Sequence, residues 1–409
     1  MNEQIITSLL DTDLYKLTMM QVAFHKFPSA VVEHEFHCRN KNVDLSVIAQ
    51  EVREQVDALC ELSFTKTELD YLRRRMHFLK RDFIDFLGIF RFDPNQITVR
   101  AKEGGLEIKT FGPWWQTILY EIYVLAIVNE VYFRHQTKDM TERQRYDMFE
   151  EGHRRLEEKI ALVKNVDGFI FTDFGTRRRF SKEWQLEVLN HCKHTIPEKL
   201  FGTSNLYLAR ELDITPIGTM AHEYLQAFQA FENRLVDSQK AALEAWVQEY
   251  RGDLGVALTD VIGVDYFLKD FDLYFAKLFD GVRHDSGDPI EWGEKFIAHY
   301  EKLKIDPRNK LLVFSDGLNF PKAVNIFNHF KGRINTSFGI GTNLTNDLGL
   351  EPLNIVMKMI NCNGKPVAKI SDSPGKGMCH DDDYVTYLKK VFDEKPALFN
   401  NPRNDYFMS

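Results

Sequence analysis

The sequence has few cysteines, and none of them is arranged as a metal-ligating or redox pair. Five cysteines are scattered over 409 residues without any C-x-x-C spacing, and their number is odd. A secreted disulfide framework or a small zinc module needs closely and regularly spaced cysteines. The pattern therefore indicates a reducing compartment, where the thiols are core or incidental residues.

The chain also lacks an excess of basic residues. Lys and Arg total 52 against 60 Asp and Glu, which gives a formal net charge of -8. A surface that coats nucleic acid or an anionic membrane rewards the opposite balance. No nucleic-acid or membrane partner is therefore expected, and anionic substrates would need local basic sites.

Signals for export and membrane insertion are missing as well. The first residues, MNEQIITSLLDTDLY, lack the basic head, apolar stretch and small-residue cleavage site of a secretory signal. The longest apolar stretch, residues 114–133, contains Glu121, Asn129 and Glu130, which would be costly in hydrocarbon. A cytoplasmic location is the expectation, with this stretch as a helix buried in a domain core or a subunit interface.

Two common ligand-binding patterns are absent. The sequence has no Walker A glycine loop and no G-x-G-x-x-G after a strand, so any use of ATP would need a different site. The motif EHEFHC does not predict a zinc site either. On a strand, His34 and His37 fall on opposite faces and cannot chelate one ion together.

The length of the chain and the change in its sequence pattern after the first third predict two domains. Strand-like pieces (VVEHEFHC, QITVRA and LEIKTFG) alternate with helical ones in the first third, and Gly104-Gly105 predicts a hairpin turn. We assign an N-terminal α/β domain to residues 1–135 and an α/β barrel to residues 136–409. The C-terminal segment is expected to pack back on the first domain.

The barrel prediction depends on seven short apolar runs after about residue 168. Each run ends in a glycine-rich polar cluster, and helix-like segments lie between most of them. Such alternation is typical of β-α units in a parallel sheet, and a series this long predicts an irregular, TIM-like α/β barrel, closed or nearly so. In a barrel the loops after the strands share one face, where residues distant in sequence converge.

Four Gly-Thr pairs lie at these strand ends. Glycine lets a ligand approach backbone N–H groups, and the threonine hydroxyl adds a donor suited to phosphate or carboxylate oxygens. Each pair alone is weak evidence, since glycine also punctuates ordinary turns. The pair in FGIGTN falls on the last strands, where barrels frequently hold a phosphate. The pairs are Gly175-Thr176, Gly202-Thr203, Gly218-Thr219 and Gly341-Thr342.

Charged groups follow two of the predicted strands. In TDFGTRRRF, Phe174 offers a flat apolar surface, and residues 177–179 are three arginines that bring positive charge to the loop, where a guanidinium fork could hold a diphosphate. In VRHDSGDP, Arg283 and Asp285 stand two apart and would point to one face of a continuing strand. They could form a structural ion pair, or bind an anionic ring substituent and sugar hydroxyls.

His222 in GTMAH is the hardest residue to assign on physical grounds. A lone histidine is more often structural than catalytic, yet this one follows a Gly-Thr pair and precedes Glu223, which could orient a ring nitrogen. It could serve as a general base, a phosphate ligand or a nucleophile for a phosphoryl group. Sequence spacing does not choose among these.

Eight motifs in the same order resemble bacterial nicotinate phosphoribosyltransferases over almost the whole chain. The motifs are LLDTDLYKLTM, GPWWQTILYE, DFGTRRRF, FGTSN, GTMAHE, RHDSGDP, FGIGT and GKPVAKISDSPGK. The resemblance implies a type II phosphoribosyltransferase fold and a homodimer with shared active sites. It also implies that nicotinate and phosphoribosyl pyrophosphate give nicotinate mononucleotide and pyrophosphate, with Mg²⁺ present and ATP hydrolysis coupled through phosphorylation of His222.

The resemblance also assigns roles at the pyridine ring. Tyr15, from the neighbouring subunit, and Phe174 would stack on opposite faces of the ring. Arg283, helped by Thr219, would bind the carboxylate. Ser204 stands where nicotinamide-specific relatives carry an aspartate, and an acid there would repel a carboxylate, so serine favours nicotinate.

The remaining roles concern the sugar and its phosphates. Asp285 resembles the residue that binds the ribose, and Arg177 the one near the diphosphate. Gly341 and Thr342 would form the loop that holds the 5′-phosphate. Three alternatives stay open: a nicotinamide-specific enzyme, a phosphate-binding barrel aldolase or isomerase, and a non-catalytic barrel protein.

Overall fold

The computed structural model describes residues 3–231, 234–373, 377, 379 and 381–396. The strands in these ranges are β1 (Val31–Cys38), β2 (Ile97–Lys102), β3 (Gly105–Pro113), β4 (Phe171–Asp173), β5 (Leu200–Thr203), β6 (Thr215–Pro216), β7 (Arg251–Leu254), β8 (Val256–Leu258), β9 (Gly281–His284), β10 (Leu311–Phe314), β11 (Asn335–Ile340), β12 (Ile355–Cys362) and β13 (Lys365–Pro366). The α-helices are α1 (Leu14–Lys26), α2 (Ala49–Cys60), α3 (Lys66–Arg75), α4 (Arg81–Ile89), α5 (Trp114–Thr117), α6 (Tyr120–Thr137), α7 (Glu142–Val163), α8 (Lys182–Thr195), α9 (Leu206–Glu211), α10 (His222–Ala227), α11 (Ser238–Tyr250), α12 (Val264–Asp270), α13 (Leu273–Leu278), α14 (Pro289–Lys302), α15 (Phe320–Phe330), α16 (Thr342–Thr345) and α17 (Asp382–Asp393).

The chain forms two compact units that are interleaved in sequence. Among the described residues, unit 1 comprises those within 1–218, 317–324 and 338–358, and unit 2 those within 219–316, 325–337 and 359–409. The domain boundary at residue 135 stays a prediction.

The hairpin predicted at the glycine pair is present in unit 1. Strands β2 and β3 are antiparallel, with Lys102 opposite Gly105. Gly104 has φ +66°, a left-handed conformation that glycine adopts without a steric penalty. Strand β1 pairs with the other edge of β3 in antiparallel register, so the three strand-like pieces of the first third form neighbouring strands.

The apolar stretch over residues 114–133 is helical, as expected, with an interruption between α5 and α6. The side chains of α6 are buried on all sides over most of its length, which is typical of a helix at the centre of a core. Tyr120 and Tyr123 of α6 pack against Phe92, with ring centroids 4.5 and 5.9 Å apart respectively. None of the described helices is long and apolar enough to cross a membrane.

The second sheet confirms the predicted parallel α/β architecture. It has seven strands in the order β6-β5-β4-β11-β10-β9-β8, and these are the seven apolar runs recognised in the sequence. In unit 1, β4 pairs in parallel with both β5 and β11. In unit 2, β9 pairs in parallel with both β8 and β10. The sheet is curled and has β6 and β8 at its ends, so it is an irregular half-barrel.

An aromatic core lies behind the strands of unit 2. Trp292 of α14 packs on Phe296, 4.9 Å away, and on Phe314 of β10, 5.4 Å away. Phe314 also stacks on Phe330, with centroids 5.8 Å apart. Close packing of large side chains leaves little freedom to the strands they cover. The loops after β9 and β10 therefore start from fixed points.

Candidate active site

Asp173, the last residue of β4, organises the loop that follows this strand in unit 1. Its Oδ1 accepts a hydrogen bond from the Gly175 N–H at 2.8 Å. Its Oδ2 accepts one from the Thr203 hydroxyl and one from the Gln185 amide, both at 2.7 Å. Burial raises the pKa of Asp173 to about 6, although these hydrogen bonds favour the charged form. The carboxylate closes the turn on which Phe174 is presented.

Phe174 is half-buried, and two glycines make room for it. Its backbone N–H donates to the Ile340 carbonyl at 2.9 Å, beside β11. A Cβ on Gly339 would lie 2.2 Å from the ring of Phe174, and one on Gly341 would lie 2.8 Å from its carbonyl oxygen. Gly341 and Thr342, the predicted phosphate loop, therefore lie directly beside the predicted ring-stacking residue.

A buried carboxylate lies beside Ser204. The Ser204 hydroxyl donates to Asp13 Oδ1 at 2.7 Å, and both residues are 2% exposed. Burial raises the pKa of Asp13, while the charge of Arg177 opposes the shift. The Leu14 N–H donates to the Ser204 carbonyl at 2.8 Å, so the segment that carries half-buried Tyr15 lies along the Ser204 loop. Sequence reasoning missed Asp13, although it is part of the DTDLY motif.

The three consecutive arginines have three different environments. Arg177 is exposed, and its Nη1 is 3.5 Å from Glu121 Oε1. The Nε of Arg178 donates to the Ile355 carbonyl at 3.0 Å. Arg179 is completely buried and forms ion pairs with Asp11 and Glu130. Of the three, Arg177 therefore has a guanidinium that is accessible to a diphosphate.

Unit 2 contains the His222 cluster, which we define as His222, Asp260, Asp285 and Lys369. The Nε2 of His222, the first residue of α10, lies 2.7 Å from Asp260 Oδ1 and 3.5 Å from Asp285 Oδ2. The Nζ of Lys369 lies 2.9 Å from Asp260 Oδ2 and 3.6 Å from Asp285 Oδ2. The cluster thus brings together two predicted residues, His222 and Asp285, which are 63 positions apart in sequence.

Two serines complete this cluster. The Ser286 hydroxyl donates to Asp260 Oδ2 at 2.7 Å, and the Ser315 hydroxyl donates to Asp285 Oδ1 at 3.0 Å. Asp260 is almost fully buried, whereas about a quarter of the Asp285 side chain and a fifth of His222 are exposed. The cluster is therefore closed at Asp260 and open at His222 and Asp285.

The charges of the cluster set the protonation of His222. Burial lowers the pKa of His222, and the Lys369 ammonium lowers it further, against the attraction of Asp260. Burial would raise the pKa of Asp260, but His222, Lys369 and the Ser286 hydroxyl hold it well below its ordinary value. At neutral pH the imidazole is neutral, and its Nε2–H donates to ionised Asp260. This tautomer leaves the Nδ1 lone pair for chemistry.

The sequence suggested Glu223 as the residue that orients the ring, but the 2.7 Å hydrogen bond is made by Asp260. Asp260 follows β8 in LGVALTD, one of the seven strand-end clusters. The sequence therefore contained a signal for Asp260, namely its position after a strand. Lys369 lies in GKPVAKISDSPGK, a motif whose place in the fold could not be inferred from spacing.

Arg283 and Thr219 are both half-buried in unit 2. The Nε of Arg283, on β9, is buried and has no hydrogen-bond partner among the described residues. Such a group is costly to bury and fits an anionic ligand. The Thr219 hydroxyl donates to the Val256 carbonyl at 2.9 Å, so it would have to turn before it could donate to a substrate carboxylate. Strand β9 ends at His284, one residue before Asp285.

Within the described residues, His222, Asp260 and Asp285 are the set that could hold a metal ion, with ligand atoms within 4.8 Å of one another. Mg²⁺ prefers oxygen ligands and usually takes one or two carboxylates together with substrate phosphates. Asp260 is occupied by Lys369 and His222. Asp285, more exposed and farther from Lys369, fits that role better.

Comparison with known proteins gives two family matches that together cover most of the chain. The profile of the nicotinate phosphoribosyltransferase (NAPRTase) family matches residues 169–396, and the profile of the NAPRTase N-terminal domain matches residues 10–129. This chain belongs to the nicotinate phosphoribosyltransferase family. The two matched ranges include every predicted site residue, Tyr15 in residues 10–129 and the others in residues 169–396.

Individual relatives of the nicotinate phosphoribosyltransferase family match at nearly full length. The enzyme of that name from Chromobacterium violaceum is 55% identical over 407 residues, which cover 97% of this chain and 99% of the relative. The one from Burkholderia mallei is 56% identical, over 95% and 97% of the two chains. The crystal structure of nicotinate phosphoribosyltransferase from Vibrio cholerae is 40% identical, covers 99% of this chain and 98% of its own, and superposes with a TM-score of 0.91.

Proposed function

We propose that this chain transfers the phosphoribosyl group of phosphoribosyl pyrophosphate to nicotinate, giving nicotinate mononucleotide and pyrophosphate. The observation that carries this proposal is the similarity to relatives named nicotinate phosphoribosyltransferase, 53–56% identical over nearly the full length of both chains. In this reaction the pyridine nitrogen bonds to the anomeric carbon of the sugar, and the bond from that carbon to the diphosphate breaks.

The pyridine base would be held by two aromatic rings and an arginine. Phe174 would stack on one face of the ring, and Tyr15 from the neighbouring subunit of a homodimer on the other. The buried and unpaired Nε of Arg283 supports its role as the partner of the substrate carboxylate. Ser204 already donates its hydrogen to Asp13, so its contribution to specificity is the absence of a second negative charge.

The sugar and diphosphate would be held by charged groups and by a backbone loop. Asp285 would bind the ribose hydroxyls, while Gly341 and Thr342 would bind the 5′-phosphate. Exposed Arg177 would stabilise the departing diphosphate, since a guanidinium matches its paired oxygens. Asp285 is also the residue that would hold Mg²⁺, which when bound supplies positive charge to the diphosphate.

His222 would couple the transfer to ATP. Its neutral imidazole, oriented by Asp260, is suited to nucleophilic attack on the γ-phosphorus of ATP. The bond from phosphorus to the β-phosphate oxygen breaks, ADP leaves, and phosphohistidine forms. Water later hydrolyses the phosphohistidine to inorganic phosphate and free His222. The negative phosphoryl group would add to the field that acts on Lys369 and the two carboxylates.

An assay of nicotinate mononucleotide tests this function. Purified protein receives phosphoribosyl pyrophosphate, Mg²⁺ and either nicotinate or nicotinamide, with and without ATP. We expect mononucleotide from nicotinate, more of it with ATP, and at least about tenfold slower turnover of nicotinamide, since an uncompensated charge difference is worth more than 1.4 kcal/mol. Absence of product from nicotinate both with and without ATP would contradict the proposal.

A further inference from the structure

Arg179 is a buried residue that contacts three other buried side chains and has no role in the proposed reaction. Its side chain has no exposed surface. The two Nη atoms donate to both oxygens of Asp11, at 2.7 and 2.8 Å, and Nε donates to Glu130 Oε1 at 2.8 Å. Together with Asp173 and Gln185, these residues form what we call the Arg179 cluster.

A guanidinium in this position requires a reason. Burying a charge costs several kcal/mol unless its partners have good geometry, and apolar residues of the same volume are often at least as stable. The paired Nη atoms on one carboxylate form the fork that arginine makes and lysine does not. The fork therefore fixes the position of Asp11 in addition to neutralising its charge.

The Asp11 contact leads to the Ser204 loop. Asp11 Oδ1 also accepts a hydrogen bond from the Asn205 amide at 2.7 Å. Around it the backbones of the two segments are joined by the Leu206 N–H to the Thr12 carbonyl at 2.9 Å and the Tyr207 N–H to the Leu10 carbonyl at 2.8 Å. Residues 10–14 are thus fixed along residues 204–207.

A second contact leads to the Phe174 loop. Nη1 of Arg179 donates to Gln185 Oε1 at 3.4 Å, and the Gln185 amide donates to Asp173 Oδ2 at 2.7 Å. Asp173 immediately precedes Phe174 and fixes the turn through the Gly175 N–H. Arg179 therefore contacts, directly or through one side chain, each of the three unit 1 segments that carry Tyr15, Ser204 and Phe174.

The third contact, between Arg179 and Glu130, does not reach a segment of the proposed base site. Glu130 lies in the middle of α6, and the neighbouring Asn129 amide donates to the Arg179 carbonyl. Glu130 also lines a cavity of about 180 Å³ with Phe133, Arg145 and Phe180, none of which is a predicted site residue. Asp11 and Glu130 are thus two buried carboxylates on one guanidinium, and of the two, Asp11 is the one that contacts a segment of the proposed base site.

We propose that Arg179 is a positioning residue for the base sites of the homodimer, because its fork to Asp11 fixes the segment carrying Tyr15, which serves the neighbouring site, against the loops carrying Ser204 and Phe174 of its own site. The proposal rests on the proposed function for its catalytic consequence, but its structural consequence can be measured without activity. It assigns to the third arginine of DFGTRRR a task different from that of Arg177.

The matched pair Asp11→Asn and Glu130→Gln tests it. Each change replaces one buried carboxylate on Arg179 by an amide of the same shape. We expect faster hydrogen exchange at the amides of Leu14, Leu206 and Tyr207 in Asp11→Asn and exchange like that of the wild type in Glu130→Gln. We also expect KM for nicotinate to rise about tenfold in Asp11→Asn and less than twofold in Glu130→Gln, because small displacements of positioning groups cost up to about 100-fold in rate.

Labelling of His222 distinguishes the proposed positioning role from a purely structural role of the Arg179 cluster. ATP-dependent labelling of His222, in unit 2, should stay within about twofold of the wild type in both folded variants, because displaced loops in unit 1 do not change the phosphoryl acceptor. Equal exchange and equal KM in the two variants, or loss of labelling in step with KM, would overturn the proposal. If Asp11→Asn does not fold, Arg179→Lys replaces it. This variant keeps the charge and loses the fork, and we expect the same exchange and KM changes.

Failure of the function and failure of this inference give different results. A wild-type protein that forms no nicotinate mononucleotide contradicts the proposed reaction, and the exchange comparison still decides the role of Arg179. Wild-type activity with unchanged exchange in Asp11→Asn and Arg179→Lys contradicts the role of Arg179 alone.

Discussion

The Arg179 cluster of unit 1 and the His222 cluster of unit 2 both gather charges after strand ends, but they differ in exposure. Every member of the Arg179 cluster is at most 3% exposed, and the fork to Asp11 occupies both oxygens of that carboxylate. In the His222 cluster, 20% of the His222 side chain and 28% of that of Asp285 are exposed. The first cluster has no accessible group to offer a ligand, and the second has two.

The difference separates two tasks that look alike in sequence. A closed network of charges fixes geometry, because each group would lose a partner if any one moved. An open cluster keeps charged groups near solvent and can exchange partners when a substrate arrives. We interpret the Asp11 fork of the Arg179 cluster as a support of the unit 1 loops that carry Ser204 and Phe174, and the His222 cluster as the group of residues that would react with ATP.

Asp260→Asn should have the largest effect, because it removes the group that fixes the His222 tautomer. We expect the rate of His222 labelling by ATP to fall by about 100-fold or more, as is typical when a ring-orienting carboxylate is lost. Labelling is measured as acid-labile phosphate on the protein. Asp265→Asn, at an exposed carboxylate of α12, is the control and should label normally. A normal rate in Asp260→Asn would show that the hydrogen bond to His222 is not used.

Ser204→Asp should have the next largest effect, because it places a second carboxylate against buried Asp13. Two acids in contact cannot both ionise, and the added charge repels nicotinate. We expect kcat/KM for nicotinate to fall about 10- to 100-fold and the ratio of nicotinamide to nicotinate use to rise, since one charge contact is worth a few kcal/mol at most. Ser204→Ala is the matched control, because it removes the hydroxyl without adding charge. Equal losses in both variants would mean that the hydroxyl, not charge, determines specificity.

Gly339→Ala should act more weakly and only through Phe174. The added Cβ would lie 2.2 Å from the Phe174 ring, so the ring must move. We expect KM for nicotinate to rise severalfold with a stability loss of about 1–3 kcal/mol, the usual range for overpacking. Gly105→Ala, where the nearest atom outside its chain neighbours would be 3.6 Å away, is the control and should change neither value. An unchanged KM in Gly339→Ala would argue against ring stacking by Phe174.

Glu130→Gln should have the smallest effect, limited to the pH dependence of stability. Burial raises the pKa of Glu130 from 4.5 to about 7 in the folded protein, against the opposing charge of Arg179. The raised pKa favours folding below pH 4.5, where both states are protonated, and this contribution is lost as pH rises towards about 7. The wild type should therefore lose on the order of 1–3 kcal/mol relative to Glu130→Gln between pH 4.5 and 8.

Urea unfolding of both proteins at these two pH values measures the difference. Asp173, whose pKa is raised to about 6, shifts stability in the same direction but is present in both proteins, so it cancels. Parallel stability profiles would contradict the buried ionisation of Glu130.

Much of the fold was predictable because alternation of apolar runs with helical segments is a local property. The seven strands of the parallel sheet and the β2–β3 hairpin follow from short windows of sequence. The environments of Arg177, Arg178 and Arg179 could not be predicted, because they depend on partners far along the chain. Asp11 lies 168 positions from Arg179, and Glu130 lies 49 positions away.

The site was predictable in part for a similar reason. The strand-end rule selected Phe174, His222, Arg283 and Asp285, and the resemblance chose among the possible roles of His222. The rule also marked the segment that contains Asp260, but it could not distinguish this aspartate from the many that only end a strand. Lys369 follows no strand of the parallel sheet, and its contact with Asp260 depends on the packing of a distant segment.

The most direct test of the proposed role of His222 is its labelling by ATP. The protein is incubated with ATP labelled in its γ-phosphate and with Mg²⁺, then digested under alkaline conditions that preserve phosphohistidine. We expect an acid-labile phosphate on the peptide that contains residue 222, and no such label in His222→Ala, which should retain some transfer without ATP. Full labelling of His222→Ala, or no acid-labile label on the wild type, would contradict this role.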